Sequence, residues 1–236
     1  MTYLKTRRCP IIIGAFLVFS LCAVLFPAVD LAVSRFFFNG VAFPIGVEWV
    51  KFQQQGLVYF LCVSIFSVVL VYVWNRLLRQ NVLGIDGRKV AYLLLVLVIG
   101  AGLIVNAGLK NNFGRARPRD VAEFGGAHQF TPAFVMSTEC RTNCSFSSGD
   151  AAAGFFTIAL VMACQRRRRY FIAAGAFGAL ISVARMAAGA HFLSDTIVSF
   201  FVMLLVSDVL YHYMIAGAEE RALTPSVTPS PEVSRA

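Results

Sequence analysis

Eight residues between positions 110 and 195 have types suited to holding and transferring a phosphoryl group: Lys110, Arg117, Ser148, Gly149, Asp150, Arg185, His191 and Asp195. Arginine presents a planar fork of donors that matches phosphate oxygens, and lysine adds a compact charge. Ser148 and Gly149 come just before an apolar run, and the free backbone N–H groups at a helix start favour an anion. The residue types therefore indicate an anion site for which phosphate is the matching ligand.

His191 and Asp195 are four residues apart, which places them one above the other on a helix face. There a carboxylate keeps one imidazole nitrogen protonated and leaves the other free as a nucleophile or a base. A single pair of this kind is more often structural, and Lys or Arg at a helix end is more often an anchor. The prediction depends on the whole set, whose members fall at predicted helix ends except for Arg117, which follows Lys110 by seven residues in the loop.

Composition places this set in a membrane protein of one domain, residues 1–216. Of the 236 residues 58% are hydrophobic and 14% charged, whereas soluble domains are about 45–50% apolar and about 25% charged. Apolar runs, each near the roughly 20 residues that cross a bilayer, predict an all-α bundle of six transmembrane helices at 11–29, 57–78, 90–109, 151–164, 170–184 and 193–215. No small-residue cleavage pattern follows the first run, which predicts a retained helix rather than a signal peptide.

Basic residues between the runs predict the orientation of the bundle. They form three clusters that six crossings place on one face: Lys5, Arg7 and Arg8; Arg76, Arg79, Arg88 and Lys89; and residues 166–169. The positive-inside rule makes this face cytoplasmic, together with both termini, and the tail 217–236 has a composition that predicts disorder. The net charge of +9 then reflects topology, so the expected partner is the lipid bilayer and not a nucleic acid. The eight residues fall on the opposite face, which we expect to be the periplasmic side of a bacterial inner membrane.

Two cysteines, Cys140 and Cys144, lie in the polar loop 110–149, whereas the other four lie in or beside apolar runs. They either stay as free thiols or form a small disulfide, which an oxidising compartment favours. The three histidines do not have the spacing of a zinc site, and no carboxylate cluster suits Mg²⁺. We therefore expect no metal and no cofactor.

Three segments resemble the motifs of the type 2 phosphatidic acid phosphatase superfamily. KNNFGRARP (residues 110–118) resembles its first motif, Lys-x6-Arg-Pro. ARMAAGAHFLSD (residues 184–195) resembles its third, Ser-Arg-x5-His-x3-Asp, with both spacings intact. FSSGD (residues 146–150) falls where the second motif, Pro-Ser-Gly-His, belongs, and its surroundings also resemble bacterial lipid A 1-phosphatases.

This resemblance implies a metal-independent phosphomonoesterase or diphosphatase that acts on a phosphorylated membrane lipid. His191 would attack phosphorus to give a phosphohistidine, oriented by Asp195. The phosphoryl oxygens would be held by the remaining matched residues: Lys110, Arg117, Ser148, Gly149 and Arg185. Two alternatives stay open, a phosphotransferase that passes the group to a second lipid and a non-catalytic lipid-binding relative.

The chain departs from the family pattern at Ser147 for Pro, Ala184 for Ser and, most importantly, Asp150 for His. In the family that histidine protonates the leaving oxygen, and an Asp carboxyl, with an ordinary pKa near ~3.9, is a poor donor at neutral pH. We therefore expect a leaving group that needs little protonation, as in lipid A 1-phosphate or a polyprenyl pyrophosphate. His128 is either a substitute acid or an exposed histidine without a role.

Overall fold

The computed structural model of the protein describes residues 9–164 and 167–217, which fold into helices and connecting loops. Seven helices form in this part: α1 Cys9–Leu25, α2 Ala28–Phe37, α3 Val47–Leu78, α4 Gly87–Lys110, α5 Gly149–Cys164, α6 Arg168–Ala187 and α7 Leu193–Ala216. α4 from Val96 and α7 from His212 continue in wider π-type turns. The long loop between α4 and α5 contains short 3-10 turns at Pro118–Asp120 and Ala122–Phe124. The all-helical prediction is confirmed for the described residues.

Helix α5 lies at the centre of the bundle, against α4, α6 and α7. Small residues allow close contact between α5 and α6. A Cβ added at Gly154 would lie 3.2 Å from the Cα of Gly178, and one added at Gly178 would overlap the ring of Phe155. Such contacts replace the hydrophobic driving force that is weak between helices in lipid. They hold the first turn of α5 in a fixed place relative to its neighbours.

The outer surface of the bundle is apolar, as a lipid-facing surface must be. Leu17 and Leu21 of α1 and Phe66 and Leu70 of α3 are among the large exposed side chains. α3, α4, α6 and α7 are long and apolar enough to cross a membrane, and α1 with α2 makes a fifth span if the bent pair counts as one. α5 has 16 residues and measures about 24 Å, less than the ~30 Å hydrocarbon core. Six crossings and their orientation remain predictions.

The first apolar run is broken, which corrects the single helix predicted over 11–29. α1 ends at Leu25, and α2 leaves it at an angle of 82°. Pro27 lies at the bend, where its ring has no N–H to continue the helical hydrogen bonds. α3 also begins earlier than predicted, at Val47. The basic residues 5–8, Arg166 and the predicted tail from 218 lie outside the described residues.

Candidate active site

Four helix ends meet on one side of the bundle, the C-terminal ends of α4 and α6 and the N-terminal ends of α5 and α7. Arg185 at the end of α6 forms an ion pair of 3.0 Å with Asp150 in the first turn of α5. The backbone N–H of Ser148 points to the carbonyl oxygen of Asp195 in the first turn of α7, at 3.4 Å. Lys110, the last residue of α4, lies within electrostatic reach of both carboxylates. The structure thus gathers residues that lie far apart in the sequence.

The imidazole of His191 is fully buried, and its Nδ1 lies 2.8 Å from the backbone carbonyl oxygen of Ser145. Because a carbonyl oxygen only accepts hydrogen bonds, Nδ1 carries the proton and donates it. Burial lowers the pKa of His191, which keeps the ring neutral at neutral pH. The lone pair of a neutral ring protonated at Nδ1 is on Nε2, which has no hydrogen-bond partner among the described residues. Nε2 is therefore prepared to act as a nucleophile.

Asp195 orients this histidine indirectly. Its carboxylate accepts from the hydroxyl of Ser145 at 2.5 Å, the N–H of Phe192 at 2.8 Å and Nη1 of Arg115 at 2.6 Å. Its Oδ2 lies 3.8 Å from Nδ1 of His191, beyond hydrogen-bond length. The contact expected between carboxylate and imidazole is made instead by Ser145, whose carbonyl holds the ring while its hydroxyl holds the carboxylate.

Asp150 stands where the resemblance would place a proton donor, but it acts as an ion-pair partner. Its Oδ2 faces Nε of Arg185 and also accepts from Nε2 of Gln54 at 3.2 Å. Both contacts engage the same carboxylate oxygen. Arg185 itself is 1% exposed, and its Nη1 has no hydrogen-bond partner among the described residues. The geometry thus favours Asp150 as the partner that keeps Arg185 in place.

Arg117 is held by the loop that carries the two cysteines. The structure joins Cys140 and Cys144 in a disulfide with their Cα atoms 5.6 Å apart. Within the closed ring, the carbonyl oxygen of Asn143 accepts from Nε and Nη2 of Arg117 at 3.3 and 2.7 Å. Lys110, by contrast, makes no hydrogen bond or ion pair with another residue in the described part of the chain. The Arg117 guanidinium is therefore fixed in direction, while the Lys110 ammonium is free to contact a ligand.

The N-terminus of α5 differs from the expectation in one respect. The hydroxyl of Ser148 accepts from the N–H of Ala151 at 3.3 Å and so caps the helix. A Cβ at Gly149 would lie 2.8 Å from Oδ1 of Asn106 on α4. The missing side chain of Gly149 therefore allows α5 to pack closely against α4. The N–H of Gly149 still has no acceptor among the described residues, which leaves it available to an anion.

Unsatisfied polar atoms mark where a ligand belongs. The hydroxyl of Ser147, Nη1 of Arg185 and Nε2 of His191 are buried and have no partner within residues 9–164 and 167–217. Buried polar atoms in folded proteins are nearly always hydrogen-bonded, so the unpartnered atoms of Arg185 and His191, near the charges of Lys110 and Arg117, point to an oxygen-rich anion. That anion would sit directly against the nucleophilic nitrogen. The arrangement can bind a phosphate and accept its phosphoryl group.

His128 lies in another part of the long loop. Its Nδ1 is 3.2 Å from a carboxylate oxygen of Glu139, and about half of its side chain is exposed. No contact joins it to His191 in the described residues, so the geometry gives no support to His128 as a substitute acid. No cluster of three or more His, Cys, Asp or Glu with metal-binding geometry occurs in the described part of the chain.

Several residues of the site were not found from the sequence. Asn143 holds Arg117 and Ser145 holds His191 through backbone carbonyls, which no side-chain pattern reveals. Gln54 comes from α3, far from the motifs. Arg115 was given no role, although a charge two residues before Arg117, on the side of the membrane that disfavours cations, was a usable signal.

Comparison with known proteins agrees with this geometry. The model of the PAP2 superfamily matches residues 91–217, more than half of the chain. The chain is 31% identical over 202 residues to the lipid A 4'-phosphatase of Francisella tularensis subsp. novicida (strain U112), covering 83% of this chain and 90% of that protein. It is 30% identical over 203 residues to the lipid A 4'-phosphatase of Rhizobium leguminosarum, covering 78% of this chain and 87% of that protein. No solved structure gives a significant match. The protein therefore belongs to the PAP2 superfamily.

Proposed function

We propose that this protein is a lipid phosphatase that removes the 4'-phosphate from lipid A or a closely related glycolipid, with His191 as the nucleophile. The observation that supports it best is the buried, unpartnered Nε2 of His191 among cationic side chains. The names of the relatives suggest the lipid and the position. They do not support the 1-phosphate or the polyprenyl pyrophosphate that the leaving-group argument favoured.

The first step transfers the phosphoryl group to the histidine. Nε2 of His191 attacks phosphorus, the bond between phosphorus and the sugar oxygen breaks, and an N–P bond forms. The ring gains positive charge, which the Ser145 carbonyl and the carboxylate of Asp195 stabilise. Because Asp150 is ion-paired with Arg185, the departing oxygen takes its proton from water.

The second step returns the enzyme to its starting state. Water attacks phosphorus and loses a proton to the solvent, the N–P bond breaks, and inorganic phosphate leaves while Nε2 recovers its lone pair. In both steps Lys110, Arg117 and Arg185 stabilise the negative charge on the non-bridging oxygens, which is the main demand of phosphoryl transfer. These cations supply charge that a divalent ion supplies in other enzymes, and we propose that the reaction needs no metal.

We also propose that the site opens to the periplasm of a bacterial inner membrane and that both termini are cytoplasmic. Arg79, which follows α3, and Arg88 and Lys89, in the first turn of α4, lie at the opposite end of α4 from Lys110. The positive-inside rule places that end in the cytoplasm. Reporter fusions at Gly125 and Arg167 should report opposite sides of the membrane, and a shared side would contradict the orientation.

The function is tested with purified protein in detergent and lipid A phosphorylated at both ends. Mass spectrometry should show loss of the 4'-phosphate, with stoichiometric release of inorganic phosphate. His191→Ala should release none, while His212→Ala, an exposed histidine at the other end of α7, should behave as the unmodified protein. Loss of the 1-phosphate would contradict the position, phosphate recovered in a second lipid would indicate a phosphotransferase, and binding without any turnover would indicate a lipid-binding protein.

A further inference from the structure

A second carboxylate, Asp30, is linked to the active site through a buried arginine. Arg115 is 1% exposed, and its Nη1 donates to Asp195 at 2.6 Å while its Nη2 donates to Asp30 at 2.8 Å. Its Nε donates to the carbonyl of Thr131 at 2.7 Å, and the guanidinium carbon lies 4.2 Å from the ring centre of Phe192. The guanidinium is thus held on every side, and its position fixes the distance between the two carboxylates.

Asp30 also holds the first turn of α7. Its Oδ1 accepts from the N–H of Ser194 at 2.9 Å, and its Oδ2 accepts from the Ser194 hydroxyl at 2.5 Å. The same hydroxyl accepts from Nη1 of Arg115 at 2.9 Å. A carboxylate from α2 therefore satisfies one of the free N–H groups that a helix leaves at its start. His191 precedes this turn by two residues, and Asp195 belongs to it.

We infer that Asp30 is a positioning residue for the reaction, acting through Arg115 and Ser194 on Asp195 and thereby on His191. The inference rests on the proposed function. The mechanism needs Nε2 of His191 to face phosphorus. Within residues 9–164 and 167–217 the ring is hydrogen-bonded to the Ser145 carbonyl alone, and the position of Ser145 in turn depends on Asp195. Asp30 touches neither the histidine nor the anion site, so its effect passes through the orientation of these groups.

The bend between α1 and α2 is what brings Asp30 to this place. A helix that continued straight through Pro27 would carry Asp30 away along the axis of α1, whereas the 82° turn directs the first turn of α2 onto the start of α7. Asp30 is 4% exposed there. A buried carboxylate needs a charged partner, and Arg115 supplies it.

The test is Asp30→Asn, which keeps the shape of the side chain and removes its charge. We expect kcat on lipid A to fall about 10- to 100-fold, because small misplacements of reacting groups have effects of this size. KM should change less than about threefold, since Lys110, Arg117 and Arg185 still hold the phosphate. Ser194→Ala should lower kcat in the same direction, and the double variant should lose less than the product of the two single effects, as residues of one network do.

Asp86→Asn is the matched control, because Asp86 also caps a helix with its carboxylate, accepting from the N–H of Lys89 at 2.9 Å at the far end of α4. Both variants should lose thermal stability, but only Asp30→Asn should lose kcat per folded molecule. Unchanged kcat in Asp30→Asn, or equal losses of kcat in Asp30→Asn and Asp86→Asn, would overturn the inference. If Asp30→Asn does not fold, the test is Ser194→Ala, and an unchanged kcat in that variant would overturn the inference. Inactive unmodified protein would instead contradict the proposed function.

Discussion

Replacing Asp150 with Asn separates an ion-pair role from a proton-donor role. The substitution leaves Arg185, 1% exposed, without the carboxylate that lies 3.0 Å from its Nε. Removing one partner of a buried pair costs about 3–5 kcal/mol of stability. Because the Asp150 side chain is 20% exposed, solvent reduces this to about 2–3 kcal/mol. For a chain of this length that corresponds to a lower Tm by roughly 5–10 °C.

The same change should improve anion binding. Without the competing carboxylate, inorganic phosphate or vanadate meets the full charge of Arg185, and we expect at least about tenfold tighter binding. An anion present at about 100 times its Kd stabilises a protein by about 2.7 kcal/mol. Saturating phosphate should therefore restore most of the Tm lost by Asp150→Asn.

The assay combines thermal unfolding, with and without phosphate, and turnover of lipid A. Gln54→Ala is the control, because it removes the 3.2 Å hydrogen bond to Asp150 but keeps the ion pair; its Tm should fall by much less. If Asp150 is only a partner of Arg185, kcat in Asp150→Asn should change by less than about threefold. A fall of about 10²–10⁴-fold with unchanged Tm is the signature of general acid catalysis and would refute the reasoning.

Other predictions follow from the same contacts. His191→Ala should lower kcat by more than about 10³-fold, the scale for loss of a nucleophile, while phosphate, monitored by the rise in Tm that it produces, should still bind within about threefold. Reduction of the Cys140–Cys144 disulfide should free Asn143 and raise KM more than it lowers kcat, because Arg117 loses its fixed direction; the double Cys→Ser variant should match the reduced protein and no longer respond to reductant. Chelator should leave phosphate release from lipid A unchanged, and activity lost in chelator and restored by a divalent ion would contradict the metal-free reaction.

The sequence predicted that the candidate side chains lie close together because most of them are at helix ends, and the ends of antiparallel helices on one side of a membrane face each other. The positions of the apolar runs in the sequence were therefore enough to predict that Lys110 and Asp195 lie on the same side of the membrane. Apolar runs also predicted most spans well, since bilayer thickness sets their length. The bend at Pro27 was missed because hydropathy continues through it, and hydropathy carries no information about backbone direction.

The partners that orient the site were harder to find for a different reason. Asp30 and Arg115 are 85 positions apart and pair at 2.8 Å, a contact that depends on the angle between α1 and α2. Ser145 works through its carbonyl as well as its hydroxyl, and every residue type has a carbonyl. Functional side chains are constrained by chemistry and so leave a pattern, whereas the groups that position them are constrained by geometry and leave none.

An ion-paired Asp150 and a 4'-phosphate substrate make opposite demands on the leaving group. The 4'-oxygen departs as an ordinary sugar alcohol, which benefits from a proton donor, whereas the Asp150–Arg185 pair offers none. We therefore expect positional selectivity to come from binding the lipid and not from the chemical step. On small soluble phosphates, kcat/KM should rank by acidity of the departing group, with p-nitrophenyl phosphate above glucose 1-phosphate and glucose 1-phosphate above glucose 6-phosphate.

On lipid A we expect the 4'-phosphate to be removed faster than the 1-phosphate, although its leaving group is less acidic. The reason is that the bound headgroup places the 4'-phosphorus against Nε2 of His191. The Asp150→His variant makes the sharper comparison, since an imidazole in that place can donate a proton. It should raise the rate on glucose 6-phosphate relative to p-nitrophenyl phosphate by as much as about 10²-fold, the lower end of general acid catalysis. Equal rates on all three small phosphates in the unmodified protein would show that a proton donor is already present, and the assignment of Asp150 as a charged partner would then be wrong.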